Sequence, residues 1–80
     1  MASVQQIKAA RALLEWSQED LAAKAGVSLP TVTRFEMQGK IRVSDEAKAK
    51  IEAALEAAGI EFTNGRKPGV RLNKRGKGKV

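Results

Sequence analysis

Apolar positions recur along this chain at two different periods, and the change between them falls at Gly59. Before that glycine, three- and four-residue spacings dominate. Ile7, Ala10 and Leu14 share one face with the stem of Arg11, which predicts a helix from about Ser3 to Leu14. Leu21, Ala22 and Ala25 give a second, shorter helix from about Gln18 to Lys24 or Ala25. Val32, Phe35 and Glu36 share one face of a third, and Pro30, Thr33, Arg34 and Met37 share the other. Ala47, Ile51, Ala54, Leu55 and Ala58 line a fourth helix from about Asp45 to Ala58. After Gly59, "IEFT" alternates with period two and "GVRL" forms a second short run, the sign of a β-ribbon. The intervening "NGRKPG" is longer than a tight hairpin needs, so the ribbon could pair within one chain or between two.

The polar punctuation supports these boundaries. Ser17 stands three residues before Asp20, close to a capping box, and Ser44 is followed by Asp45 and Glu46. Ser28 is the natural cap of the third helix, because its hydroxyl can accept a free backbone N–H from the first turn. Pro30 then falls in that first turn, where its missing N–H costs no helical bond. Gly26, Gly39 and Gly59 are expected helix stops. Lys48 and Glu52, four apart, are expected to pair weakly, and Glu52 and Glu56 to form a solvated face. From Asn73 on, "NKRGKGKV" shows no apolar periodicity and reads as a flexible tail.

Composition narrows the chemistry. The 80 residues suit one small domain. There is no cysteine and no histidine, which excludes a disulfide framework, removes the usual zinc ligands and rules out a Ser-His-Asp arrangement. Ser17, Ser28 and Ser44 are therefore caps, and no enzyme activity and no cofactor are expected. No apolar run approaches the roughly 20 residues of a membrane span. Lys8 and Arg11 interrupt the apolar residues of the N-terminal segment, so it lacks a signal-peptide pattern. The expectation is a soluble cytoplasmic protein.

Charge is placed unevenly. Acids and bases cancel over residues 1–59. Beyond them Arg66, Lys67, Arg71, Lys74, Arg75, Lys77 and Lys79 face Glu61 alone, so the net charge of +6 resides at the C-terminal end. Such a stretch favours a polyanion through a salt-sensitive term, or simply aids solubility.

Two short helices joined by a glycine turn form a helix-turn-helix. Ala22 lets the two helices cross closely, Gly26 permits the bend, and Val27 can plug the turn. Here the resemblance becomes specific. "SQEDLAAKAGVSLPTVTRFEMQGK" resembles the helix-turn-helix of λ-repressor-like (Xre) regulators. Gln18, Leu21-Ala22, Gly26-Val27-Ser28, Val32, Phe35-Glu36 and Gly39 fit that pattern, with one residue inserted before the last glycine. The resemblance covers about residues 4–58 and compresses a five-helix fold to four. The expected architecture is all-α, a compact helix-turn-helix domain over residues 1–59. A β-ribbon and possible dimerisation element follows at 60–72, and a basic tail at 73–80.

The resemblance implies a homodimer that binds double-stranded DNA, its third helix in the major groove, and regulates transcription, as a repressor more often than an activator. The protein would be nucleoid-associated when DNA-bound. Ser17, Gln18, Ser28, Lys40 and Arg42 are then the expected phosphate contacts, Gln18 at a position that holds a phosphate in the family. Leu29, Pro30, Thr31, Thr33 and Arg34 face the bases. Arg34 can contact guanine in bidentate fashion, and the threonines can donate, accept or touch a thymine methyl. Leu29 and Pro30 stand where many relatives carry polar readers, which favours apolar contact there. Arg71, Lys74, Arg75, Lys77 and Lys79 are the expected contacts of the tail. Arg11 and Glu36 are implied to form a buried structural ion pair, and Trp16 to pack in the core or hinge. An antitoxin subunit, or a protein-interaction module on the same fold, remains the alternative reading.

Overall fold

The computed structural model describes residues 2–37, 43–63 and 67–73. Within them lie α1 (Val4–Leu14), α2 (Gln18–Ala25), α3 (Leu29–Glu36), α4 (Asp45–Ala57), β1 (Ile60–Thr63) and β2 (Gly69–Leu72). The expected glycine stop at Gly39 lies outside the described residues; regular α3 ends at Glu36, with Met37 as its C-cap.

Every helix begins at a serine. Ser17 Oγ accepts from Asp20 N–H (3.0 Å), and Asp20 accepts from Ser17 N–H in return (2.9 Å). Ser28 Oγ accepts from Thr31 N–H, and Ser44 Oγ from Ala47 N–H. Each satisfies one of the donors that a helix start leaves without an intrahelical partner, worth about 1 kcal/mol apiece. Ser3 and Gln6 make a further reciprocal box at the start of α1. α1 closes on Glu15 at φ 59°, a left-handed conformation in a residue other than glycine.

Ile7 and Ala10 from α1, Leu21 and Ala22 from α2, Val32 from α3, Ile51 and Leu55 from α4 and Ile60 from β1 form one buried core. Trp16, Val27, Phe35, Phe62, Val70 and Leu72 pack against it. The two strands pair antiparallel within this chain, Ile60 opposite Leu72 and Thr63 opposite Gly69. The alternating pattern turns Ile60, Phe62, Val70 and Leu72 to one side of the ribbon, against the helices. Gln6, buried near the start of α1, donates from Nε2 to both Thr63 O (2.8 Å) and Gly69 O (2.9 Å). One side chain thus clamps both strands at a paired position.

Two surface expectations are corrected. Lys48 lies 3.9 Å from Asp45 instead of pairing with Glu52. Glu52 is half-buried and accepts a hydrogen bond from the backbone N–H of Ala2 at 2.6 Å, so it anchors the N-terminal segment and is no idle solvated carboxylate.

Gly26 and Gly59 both have positive φ, for different reasons. A Cβ on Gly26 would meet nothing within 4 Å. A Cβ on Gly59 would meet the carbonyl oxygen of Asn73 at 2.9 Å, where Asn73 N–H also donates to Gly59 O at 2.7 Å. Gly26→Ala should therefore cost about 1 kcal/mol, the left-handed penalty alone. Gly59→Ala should cost roughly 2–4 kcal/mol, because the clash adds to that penalty. Urea unfolding of both variants checks the order; equal losses would contradict the close approach at Gly59.

Candidate nucleic-acid interface

The candidate interface is built on one buried carboxylate. Glu36 ends α3 and turns inward, its side chain 3% exposed. Arg11 crosses from α1 and grips it with two parallel bonds, Nη2 to Oε1 at 2.8 Å and Nε to Oε2 at 2.9 Å. The planar guanidinium matches the carboxylate in this bidentate form. Arg11 Nη1 also donates to the Trp16 carbonyl at 3.0 Å, which ties the α1–α2 connection to the same point. Gln18, the first residue of α2, donates from Nε2 to Glu36 Oε1 at 2.9 Å. Its own Oε1 accepts from the Thr33 hydroxyl at 3.1 Å. Three helices therefore meet on Glu36, and the chain of bonds runs outward to the exposed side of α3.

Burial of the Glu36 carboxyl favours its protonated form. Hydrogen bonds from Arg11 and Gln18, and the charges of Arg11 and Lys8, outweigh that and hold it below its ordinary value.

The outward side of α3 carries Leu29, Pro30 and Arg34, all exposed, with Thr31 and Thr33 half-buried between them. Leu29 is 41% exposed, comparable with Leu13 at 45%. Thr31 and Ser28 share a hydroxyl–hydroxyl bond of 2.8 Å in which either oxygen can be the donor. Arg34 and Thr31 line a shallow cleft of about 150 Å³ with Val43, Ser44 and Ala47 at the start of α4. Ser17 is exposed and Gln18 half-buried at the start of α2, on the side of the domain that Thr33 faces. The amino terminus of α2 already carries Glu19 and Asp20, and Asp20 occupies the Ser17 N–H, so part of the attraction this helix end has for anions is met internally.

Trp16 is half-buried against the core, with Lys24 Nζ 5.7 Å from its ring centre. Lys40 and Arg42, and Lys74, Arg75, Lys77 and Lys79 of the tail, lie outside the described residues. Arg71 stands on β2, where it pairs directly across the ribbon with Glu61 at 2.9 Å. Its side chain stays 72% exposed in this pair. The signal for this was present in the sequence, since Glu61 and Arg71 hold matching positions in the two runs.

Among the described residues no three or more acidic or other ligating side chains group to hold a metal ion, and no helix is long and apolar enough to cross a membrane.

Two serine-capped helices joined at Gly26, with Ala22 of the first buried and the second presenting the exposed Leu29, Pro30 and Arg34, define a DNA-binding helix-turn-helix. Comparison with protein families agrees: a helix-turn-helix family model matches residues 7–59. The chain belongs to the λ-repressor-like (Xre) helix-turn-helix family of DNA-binding regulators. No curated protein matches the chain.

The ion pair makes a pH prediction. The folded Glu36 carboxyl binds its proton less tightly than the unfolded one, so its stabilisation is complete above the unfolded value and disappears as the pH falls through the depressed folded value. Unfolding free energy should decline from about pH 4.5 downward. Glu36→Ala strands the partly buried Arg11 charge and should cost about 3 kcal/mol at neutral pH. It should also flatten the acid limb seen by denaturant titration; an unchanged acid limb would remove Glu36 as its source.

Proposed function

We propose that this protein is a transcriptional repressor that binds an operator of paired half-sites as a homodimer, with α3 of each copy in the major groove. The carrying observation is the exposed row of Leu29, Pro30 and Arg34 on a helix whose opposite side is locked to α1 and α2 through Glu36. A helix held this firmly can present side chains to base edges without a large ordering cost on binding. An eight-residue helix touches only a few base pairs, which favours two copies on half-sites about one helical turn apart, roughly 34 Å.

In this reading Arg34 supplies the strongest base contact, and Leu29 with Pro30 makes apolar contact with thymine methyls. Thr31 and Thr33 complete the row. Ser17, Gln18, Ser28, Lys40 and Arg42 hold phosphates on either side and fix register without reading sequence. Gln18 remains suited to this, because one of its two amide hydrogens is left after the bond to Glu36. Arg71, Lys74, Arg75, Lys77 and Lys79 add phosphate or minor-groove contacts from the C-terminal end, and the ribbon supports the dimer seam. Residues 1–59 form the reading unit, 60–72 the ribbon and 73–80 the tail.

Arg34→Ala should lose discrimination at one base pair, worth about 1–3 kcal/mol, while salt-sensitive binding to unrelated duplexes persists. Competition titrations with single-base variants of a selected site measure this. A uniform loss across all sequences would instead assign Arg34 to a phosphate, beside the start of α4. Deleting residues 73–80 should reduce the slope of log affinity against log salt by about 0.9 for each phosphate contact removed. An unchanged slope would leave the tail as a solubility device.

A further inference from the structure

The hydrogen bonds that end on Glu36 have a fixed direction, and that direction reaches the outward side of α3. An ionised carboxylate can only accept. Glu36 Oε1 therefore requires the nitrogen of the Gln18 amide at 2.9 Å, and the opposite amide orientation would set two acceptors against each other in a buried position. With its nitrogen committed inward, Gln18 presents Oε1 to Thr33 at 3.1 Å. A carbonyl oxygen also only accepts. The Thr33 hydroxyl must then donate its single hydrogen to Gln18, and Thr33 Oγ1 keeps only lone pairs for anything that approaches α3 from outside.

This excludes several partners. Phosphate oxygens, guanine O6 and N7, and thymine O4 are all acceptors and cannot bond to Thr33 without breaking the chain of bonds behind it. The amino groups of adenine N6 and cytosine N4 are the donors that the major groove offers. Thr31 is different. In its bond with Ser28 either hydroxyl can give the hydrogen, so Thr31 keeps both options.

We infer that Thr33 is an acceptor-only specificity residue, held in that state by Gln18 and Glu36, which selects adenine or cytosine on the DNA strand it faces. The inference rests on the proposed placement of α3 in the major groove. Its cause lies in the fold: the buried carboxylate sets the polarity of a side chain two hydrogen bonds away.

The test begins with selection of bound sequences from random duplex DNA by the full chain. It continues with Thr33→Val, which keeps the branched shape and loses the oxygen, and with Thr33→Ser, which keeps the oxygen. The parent and Thr33→Ser should prefer adenine or cytosine at one position where Thr33→Val shows no preference. Replacing that base in the selected duplex by purine, or by pyrimidin-2-one, removes only the amino group. This should weaken the parent about three- to tenfold, the range of one net hydrogen bond, and leave Thr33→Val unchanged. Circular dichroism checks that Thr33→Val folds, and if it does not, the base-analogue arm with the parent and Thr33→Ser still decides. The inference is overturned if Thr33→Val keeps every preference of the parent, if the lost preference is for guanine or thymine, or if the amino group proves dispensable to the parent. A parent chain that selects a sequence while any of these occurs leaves the DNA-reading proposal standing alone. A parent chain that enriches no sequence overturns both.

Discussion

The arrangement of this domain depends on the Glu36 carboxylate and the two guanidinium bonds that neutralise it. A buried carboxylate alone would be costly, and its neutral form would leave Arg11 without a counter-charge. Paired, it becomes the point where α1, the start of α2 and the end of α3 are all attached. Hydrophobic packing around Leu21, Val32, Ile51 and Leu55 supplies most of the driving force for collapse. Packing of that kind has little directional preference. The charged centre supplies the direction, because each bond to it works in one geometry and with one polarity.

The ribbon belongs to the same scheme at the other end of α1. Ile60 joins the core, and Gln6 clamps both strands by their carbonyls. Gly59 makes the connection from α4 close enough for Asn73 to bond across it. α1 therefore couples the ribbon to the helix-turn-helix, with Gln6 near its first turn and Arg11 near its last.

Much of this could be read from the sequence, and the gaps follow a physical rule. The four helices and two strands were legible because serine caps, glycine stops and apolar periods are local signals. The helix-turn-helix was legible because its glycine turn and small crossing residue have fixed spacing. Interactions that join distant segments were not. Gln6 reaches partners 57 and 63 residues away, and nothing near it in sequence marks those carbonyls. The expected Lys48–Glu52 pair failed for the same reason, since the Ala2 N–H, 50 residues from Glu52, takes the carboxylate. At the candidate interface, the exposed row on α3 followed from a helical wheel. The direction of the Thr33 hydroxyl did not, because it is decided by Gln18 and Glu36 together.

The central claim is that the side of α3 opposite Glu36 is the surface that meets DNA. Amide chemical shifts of the labelled protein during titration with duplex DNA at moderate salt test it most directly. The account predicts that the largest changes fall on Ser17, Gln18, Ser28, Leu29 and residues 31 to 34, while the amides of Ile51, Leu55 and Phe62 stay in place. Large changes confined to α4 or the ribbon, with α3 silent, would contradict it.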